Sequence, residues 1–220
     1  MPVPPDKPPR PGQESVWDYP RPPRLEQFAG SITVELGGQT IAETDRAWRV
    51  LETSHPPTYY LPRTCFADGV LRQADGSSWC EWKGQATYFD LVTPSVVAPR
   101  AAWTYLTPTR GFTEIAGALA VMPAMVDRCT VNGEVVVPQP GGFYGGWITS
   151  WVAGPFKGVP GSMGGDDHWP SSRAALRSTW VSTRNAWNSS PVMNVVVNWF
   201  LSAICFQVGD STISPSTFCQ

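Results

Sequence analysis

"SITVELGGQTIAET", residues 31–44, places Ile32, Val34 and Leu36 in alternation just ahead of Gly37-Gly38. Successive side chains leave a strand on opposite faces, so "ITVEL" presents one apolar and one polar face. A glycine pair readily takes the positive φ that a two-residue hairpin turn demands. The stretch predicts an antiparallel hairpin, with a β domain built outward from it. With 23 prolines and 20 glycines, the chain favours short strands and loops over long helices. "RAWRVLET" (46–53), "TYYLP" (58–62) and "AAWTYLTP" (101–108) read as further strands. "VDRCTVNGEVVVP" (126–138) predicts a second hairpin, with Asn132-Gly133 as its type I′ turn. "SSWCEWKGQATYFDLV" (77–92) reads as a central strand with its neighbour. On that reading Cys80, Trp82, Gly84 and Ala86 share one face, and Glu81, Lys83 and Gln85 the other. "GFTEIAGALA" (111–120) fits either a short helix or one more strand.

Composition narrows the function. Hydrophobic residues make up 42%, enough for a real core, while charged residues are 15% and the formal net charge is −2. No basic surface for nucleic acid or an anionic membrane follows from that balance. The five cysteines (65, 80, 129, 205 and 219) contain no C-x-x-C pair, so a zinc ribbon or thioredoxin-type motif is excluded. The proline-rich start carries no apolar leader, and a cytoplasmic protein with free thiols is expected. No cofactor and no metal are expected.

Residues 1–24 read as an extended, polyproline-like arm. Trp17 and Tyr19 pack its second half on the domain, leaving 1–13 as the arm proper and 14–165 as the β domain. Residues 166–220 change character. The apolar run Val192–Val208 is interrupted by Asn194 and Asn198 and falls short of the ~20 residues of a membrane span. The expectation is a poorly ordered tail, dispensable for folding, with no membrane anchor.

Five stretches carry a family resemblance: "PGQESVWDYPRPPRLE" (11–26), "IAETDRAWRVLETSHPPTYYLP" (41–62), "CEWKGQATYFDLV" (80–92), "VAPRAAWTYLTPT" (97–109) and "PQPGGFYGGWITSWVAGPFKGVPGSMG" (138–164). In this order they resemble the family catalogued as domain of unknown function 427, across about residues 12–164. The resemblance implies a mainly β fold similar to the β-tent group, two antiparallel sheets leaning around a pocket. Members of that group often carry four zinc-binding cysteines, which this chain lacks. The chain departs at "ALAVMP" (118–123), milder than the strand usual there, and after Gly165, where 55 residues have no family counterpart.

The family also carries a "nucleotidyltransferase-like" label. Nucleotidyl transfer needs carboxylates for two metal ions, and the nearest candidates are Glu43 and Asp45 after Gly37-Gly38. These read more simply as the polar end of a hairpin strand, and Lys157 lies in no phosphate-binding loop. "ETSHPPTYYLP" (52–62) is more pointed, because its proline pair keeps His55 out of any helix. Glu52, His55, Cys80 and Lys83 form a candidate catalytic set, a histidine near a carboxylate with a thiol and an amine as nucleophiles. Tyr59, Tyr60, Trp82, Trp103, Phe143, Tyr144 and Trp147 are candidate walls of a ligand pocket, although Trp82, Trp103, Trp147, Phe143 and Tyr144, each taken singly, read more readily as core. The reading that follows is a β domain binding an unidentified small molecule in an aromatic pocket. Acid–base or nucleophilic enzymology by the first set is the alternative, and nucleotidyl transfer the weaker one.

Overall fold

The computed structural model describes residues 8–158. The start of the arm and the tail at 166–220, expected to be dispensable, lie outside the described residues. The strands in chain order are β1 (Glu14–Ser15), β2 (Arg24–Leu36), β3 (Gln39–Leu51), β4 (Thr58–Leu61), β5 (Leu71–Cys80), β6 (Gly84–Val92) and β7 (Val97–Tyr105). There follow β8 (Leu119–Val121), β9 (Arg128–Val131), β10 (Glu134–Val135), β11 (Val137–Pro138), β12 (Trp147–Ile148) and β13 (Val152–Ala153). Helix is confined to three short 3-10 segments among the described residues, one of them Arg110–Ile115. No helix among these residues is long and apolar enough to cross a membrane.

The domain is mainly β and antiparallel, as expected. Hydrogen bonding runs continuously through nine strands in the order β10-β9-β2-β3-β4-β8-β7-β6-β5, and β1-β13 and β11-β12 form two further pairs. The long hairpin is β2-β3, whose turn holds Gly37 and Gly38 at φ 64° and 76°, the left-handed values a glycine pair adopts without strain. Asn132 and Gly133, at φ 50° and 79°, make the second predicted turn between β9 and β10. "GFTEIAGALA" satisfies both of its readings, since the 3-10 segment Arg110–Ile115 is followed by β8.

One reading needs correction. "SSWCEWKGQATYFDLV" is a hairpin at the sheet's edge, not a central strand: β5 ends at Cys80, β6 begins at Gly84, and Glu81-Trp82-Lys83 is the turn. Strict alternation of faces across 80–86 therefore fails, because residues in a turn do not keep the period of two.

The sheet curls around its main core. Ile32, Val34 and Leu36 of β2 meet Phe89 and Leu91 of β6, although four strands separate them in the order. The β2–β3 turn reaches the β6–β7 connection, where the Ser95 hydroxyl donates to the Gly37 carbonyl at 3.4 Å. Tyr59 and Trp147, fully buried, sit at the centre of this core with ring centroids 5.2 Å apart. The Trp147 indole N–H donates to the Val121 carbonyl at 3.1 Å, so the largest buried side chain is also hydrogen-bonded. Trp147→Ala would remove ring packing and leave that carbonyl without the indole donor. A loss of about 3–5 kcal/mol in urea unfolding is expected, and an unchanged unfolding midpoint would show that Trp147 is not part of the core.

Candidate functional site

The face opposite the core is built by register. Trp48 of β3 pairs with Tyr60 of β4, Tyr60 with Ala120 of β8, Ala120 with Trp103 of β7, and Trp103 with Tyr88 of β6. Paired residues share a face, so these five form one transverse row. Two residues beyond Trp103, Tyr105 faces Ala86, which in turn faces Ser78. Ala86 is too small to fill the space between the rings. What remains is a cavity of about 460 Å³, within the ~300–1,000 Å³ usual for ligand sites.

Three loops wall the cavity. The Glu81-Trp82-Lys83 turn is tied down by Thr109, whose hydroxyl donates to the Trp82 carbonyl at 2.5 Å and whose N–H donates to the Lys83 carbonyl at 3.3 Å. The His55-Pro56-Pro57 corner bends at Ser54, which takes a left-handed φ of 68°. The Ser54 N–H donates to Val16 at 2.9 Å, and its carbonyl accepts from Lys157 at 2.9 Å. The glycine-rich loop completes the enclosure, because Gly145 and Gly146 press bare backbone against Trp103 and Pro56. A Cβ would come within 2.1 Å of the Trp103 ring at Gly145, and within 2.6 Å of the Pro56 ring at Gly146.

Charge at the cavity is unevenly compensated. Arg21 holds both acidic residues, Glu52 at 3.1 Å and Glu81 at 3.3 Å. Lys83 is 8% exposed, its ammonium 5.8 Å from the centre of the Tyr105 ring and 5.7 Å from that of Phe112. Burial pulls the Lys83 pKa down, while Tyr60 and Cys80, once ionised, and the Glu52 carboxylate push it up, with a net upward direction. Burial likewise raises the Tyr60 and Tyr105 hydroxyls, which stay neutral. His55 moves the other way. Burial first, then the nearby Lys157 and Arg21 charges, bring it from 6.5 down to about 4. Its Nδ1 lies 3.1 Å from the Gln139 amide nitrogen, which also donates to the Lys157 carbonyl at 2.8 Å.

All four candidate catalytic residues, Glu52, His55, Cys80 and Lys83, line this one cavity, with Tyr60, Trp82, Trp103, Phe143 and Tyr144. Tyr59 and Trp147 do not. Tyr59 follows the strand's alternation to the opposite side from Tyr60, and Trp147 is turned into the core by its bond to Val121. Tyr105 was missed, although its i+2 spacing from Trp103 was a usable signal. Arg21, Gln139 and Lys157 come from arm and loop, where no periodicity announces a face. Glu43 and Asp45 are exposed and away from the cavity, and no group of three His, Cys, Asp or Glu side chains able to hold a metal forms among the described residues.

The unfolded chain binds a proton at His55 near pH 6.5, the folded chain only near 4. Between these values the unfolded state holds more protons, so stability falls as pH drops from 6.5 towards 4. His55→Gln should lose less stability than the parent across this window in urea unfolding at stepped pH. Parallel profiles would contradict a neutral, buried imidazole.

No curated protein matches the chain. A family match spans residues 24–132, which carry Glu52, His55, Tyr60, Cys80, Trp82, Lys83, Trp103 and Tyr105 but not the glycine-rich loop. Over that span the chain belongs to the family described as Domain of unknown function (DUF427).

Proposed function

We propose that this domain binds a small organic molecule in the cavity between the Tyr60–Trp103–Tyr105 face and the three loops. The observation that carries the reading is the convergence of aromatic walls and buried polar groups on one metabolite-sized space. The Trp82 indole nitrogen and the Gln139 carbonyl oxygen are buried without a hydrogen-bond partner, and both residues line the cavity. An unpaired buried polar group costs roughly 1–3 kcal/mol, a cost that a bound molecule with matching groups would remove. Short strands, a proline corner and a pinned turn hold the walls in place, so little ordering entropy is lost on binding. The three described cysteines, Cys65, Cys80 and Cys129, are free thiols, which supports a reducing, cytoplasmic setting.

Tryptophan fluorescence and melting temperature, followed across a panel of metabolites and nucleotides, test the proposal. At least one compound should shift both, and Trp82→Ala should weaken its binding by roughly ten-fold, about 1.4 kcal/mol. If no compound perturbs either signal, the reading fails.

A second reading, an enzyme working in the same cavity, is favoured by one observation: Glu52, His55, Cys80 and Lys83 all line it. An activated Cys80 would react with iodoacetamide well ahead of Cys65, whose thiol burial raises to about 11. Peptide mapping of the alkylated protein decides this. Labelling of Cys80 no faster than Cys65 removes nucleophilic catalysis by the thiol.

A further inference from the structure

Lys83 is the most unusual charged group in the domain. An ammonium is expensive to bury unless paired, yet among the described residues no carboxylate forms an ion pair with it. Glu52 and Glu81, the acidic groups lining the cavity, are taken by Arg21. The Lys83 ammonium has instead the Tyr105 and Phe112 rings around it, with the Glu52 carboxylate acting on it at longer range. Those contacts soften its burial without cancelling its charge. Lys157 adds a second cation at the wall, 5.1 Å from the centre of the Tyr144 ring. His55 adds none, being neutral.

The neighbouring Trp82 supplies a complementary donor. Its indole N–H is buried, has no acceptor, and can only donate. Lys83 and Trp82, consecutive residues of one pinned turn, thus both line the cavity beside walls of flat rings. A cationic ligand is a poor match, because aromatic cages that hold cations contain no resident ammonium, and here Lys83 occupies that role. A phosphate is also poorly matched. A lysine can serve a phosphate as a point charge, but the usual phosphate site adds a succession of backbone N–H groups, a helix N-terminus or a guanidinium fork, and the one guanidinium at the cavity, Arg21, is committed to two carboxylates.

We infer that the ligand of this cavity is a planar, singly charged carboxylate, with its carboxylate on the Lys83 ammonium and the Trp82 indole N–H and its flat body between Tyr60, Trp103 and Tyr105. This assignment rests on the reading of the cavity as a ligand site and adds the chemistry of the ligand. It also gives the buried charge its missing partner, since a charge-assisted contact in a low-dielectric cavity is stronger than one at the surface.

The test uses the full chain and four probes of similar shape: trans-cinnamate, cinnamamide, cinnamylamine and phenyl phosphate, each titrated by calorimetry. Cinnamate should bind about ten-fold or more tighter than cinnamamide, as expected for a hydrogen bond to a charged group. Lys83→Met should abolish that preference while leaving the amide's affinity little changed, and Lys83→Arg should keep it. Trp82→Phe, which removes the N–H and keeps the ring, should reduce the preference in part. This variant serves as the reading if Lys83→Met does not melt cooperatively. Equal or tighter binding of the amide or the amine overturns the anion assignment but leaves the ligand cavity standing. Tighter binding of phenyl phosphate overturns the carboxylate assignment in the same way. If none of the four binds while another compound from the metabolite panel does, the inference falls alone; if nothing binds in either experiment, both fall.

Discussion

Along β4 successive side chains leave the sheet on opposite sides, so Tyr59 and Tyr60 are neighbours in sequence and separated by the sheet in space. β4 is only four residues long, yet it is the middle strand of nine. Tyr59 takes one side to the main core, against Phe28 and Trp147. Tyr60 takes the other, and the register passes its position on through Ala120 to Trp103 and Tyr88. A slip of one residue in this strand would exchange the two tyrosines and turn a cavity-lining hydroxyl into the core. Stability and site geometry therefore share a single register, fixed on one side by β3 and on the other by β8.

The proline corner transmits that register to the loops. Trp147 donates its backbone N–H to the Pro57 carbonyl at 2.9 Å, immediately before β4. The same Trp147 is a core side chain, so the glycine-rich loop is anchored in the core at one residue while its preceding glycines lie over Pro56 and Trp103. Cavity walls and core are thus tied covalently and by hydrogen bonds across a few residues. Flexible walls would have to be ordered at the expense of affinity; here the packing that stabilises the fold has already ordered them.

Much of this was legible in the chain. Alternation in "SITVEL", the glycine pair and Asn132-Gly133 all act locally, and each formed the turn or strand it predicted. Glu52, His55, Cys80 and Lys83 form a group by residue type in the sequence, and all four line one cavity. Local pattern failed where a turn interrupts a strand. Cys80 and Lys83 were assigned to opposite faces by counting through residues 81–83, but the turn brings both to the same space. It failed again where identity says nothing about direction. Tyr59 differs from Tyr60 only in strand phase, which depends on pairing with β3 and β8. Trp147 sits in a loop without a period, and its hydrogen bond to Val121 depends on a partner 26 residues earlier. Long-range pairing supplies that information, and a single sequence does not display it.

The state of His55 bears on what the cavity can do. The Gln139 amide nitrogen carries two hydrogens, and one is committed to the Lys157 carbonyl. The other meets His55 Nδ1, which must then accept, leaving the imidazole proton on Nε2. With its pKa drawn down to about 4, the ring does not take up a second proton at neutral pH. His55 therefore carries its N–H donor at Nε2, whereas a general base needs a free lone pair. Exchanging the tautomer would place an N–H at Nδ1 against the Gln139 NH₂, two donors facing each other in a buried site. Rotating the amide to relieve that clash would turn its oxygen onto the Lys157 carbonyl, two acceptors in contact. The observed pairing already leaves the Gln139 Oε1 without a partner, and each alternative would add a contact between two like groups, so the observed pairing is the better satisfied one. With Nδ1 already accepting, His55 has no free ring nitrogen with which to take a proton, and it joins Lys83 and Trp82 among the cavity's lining residues as a donor.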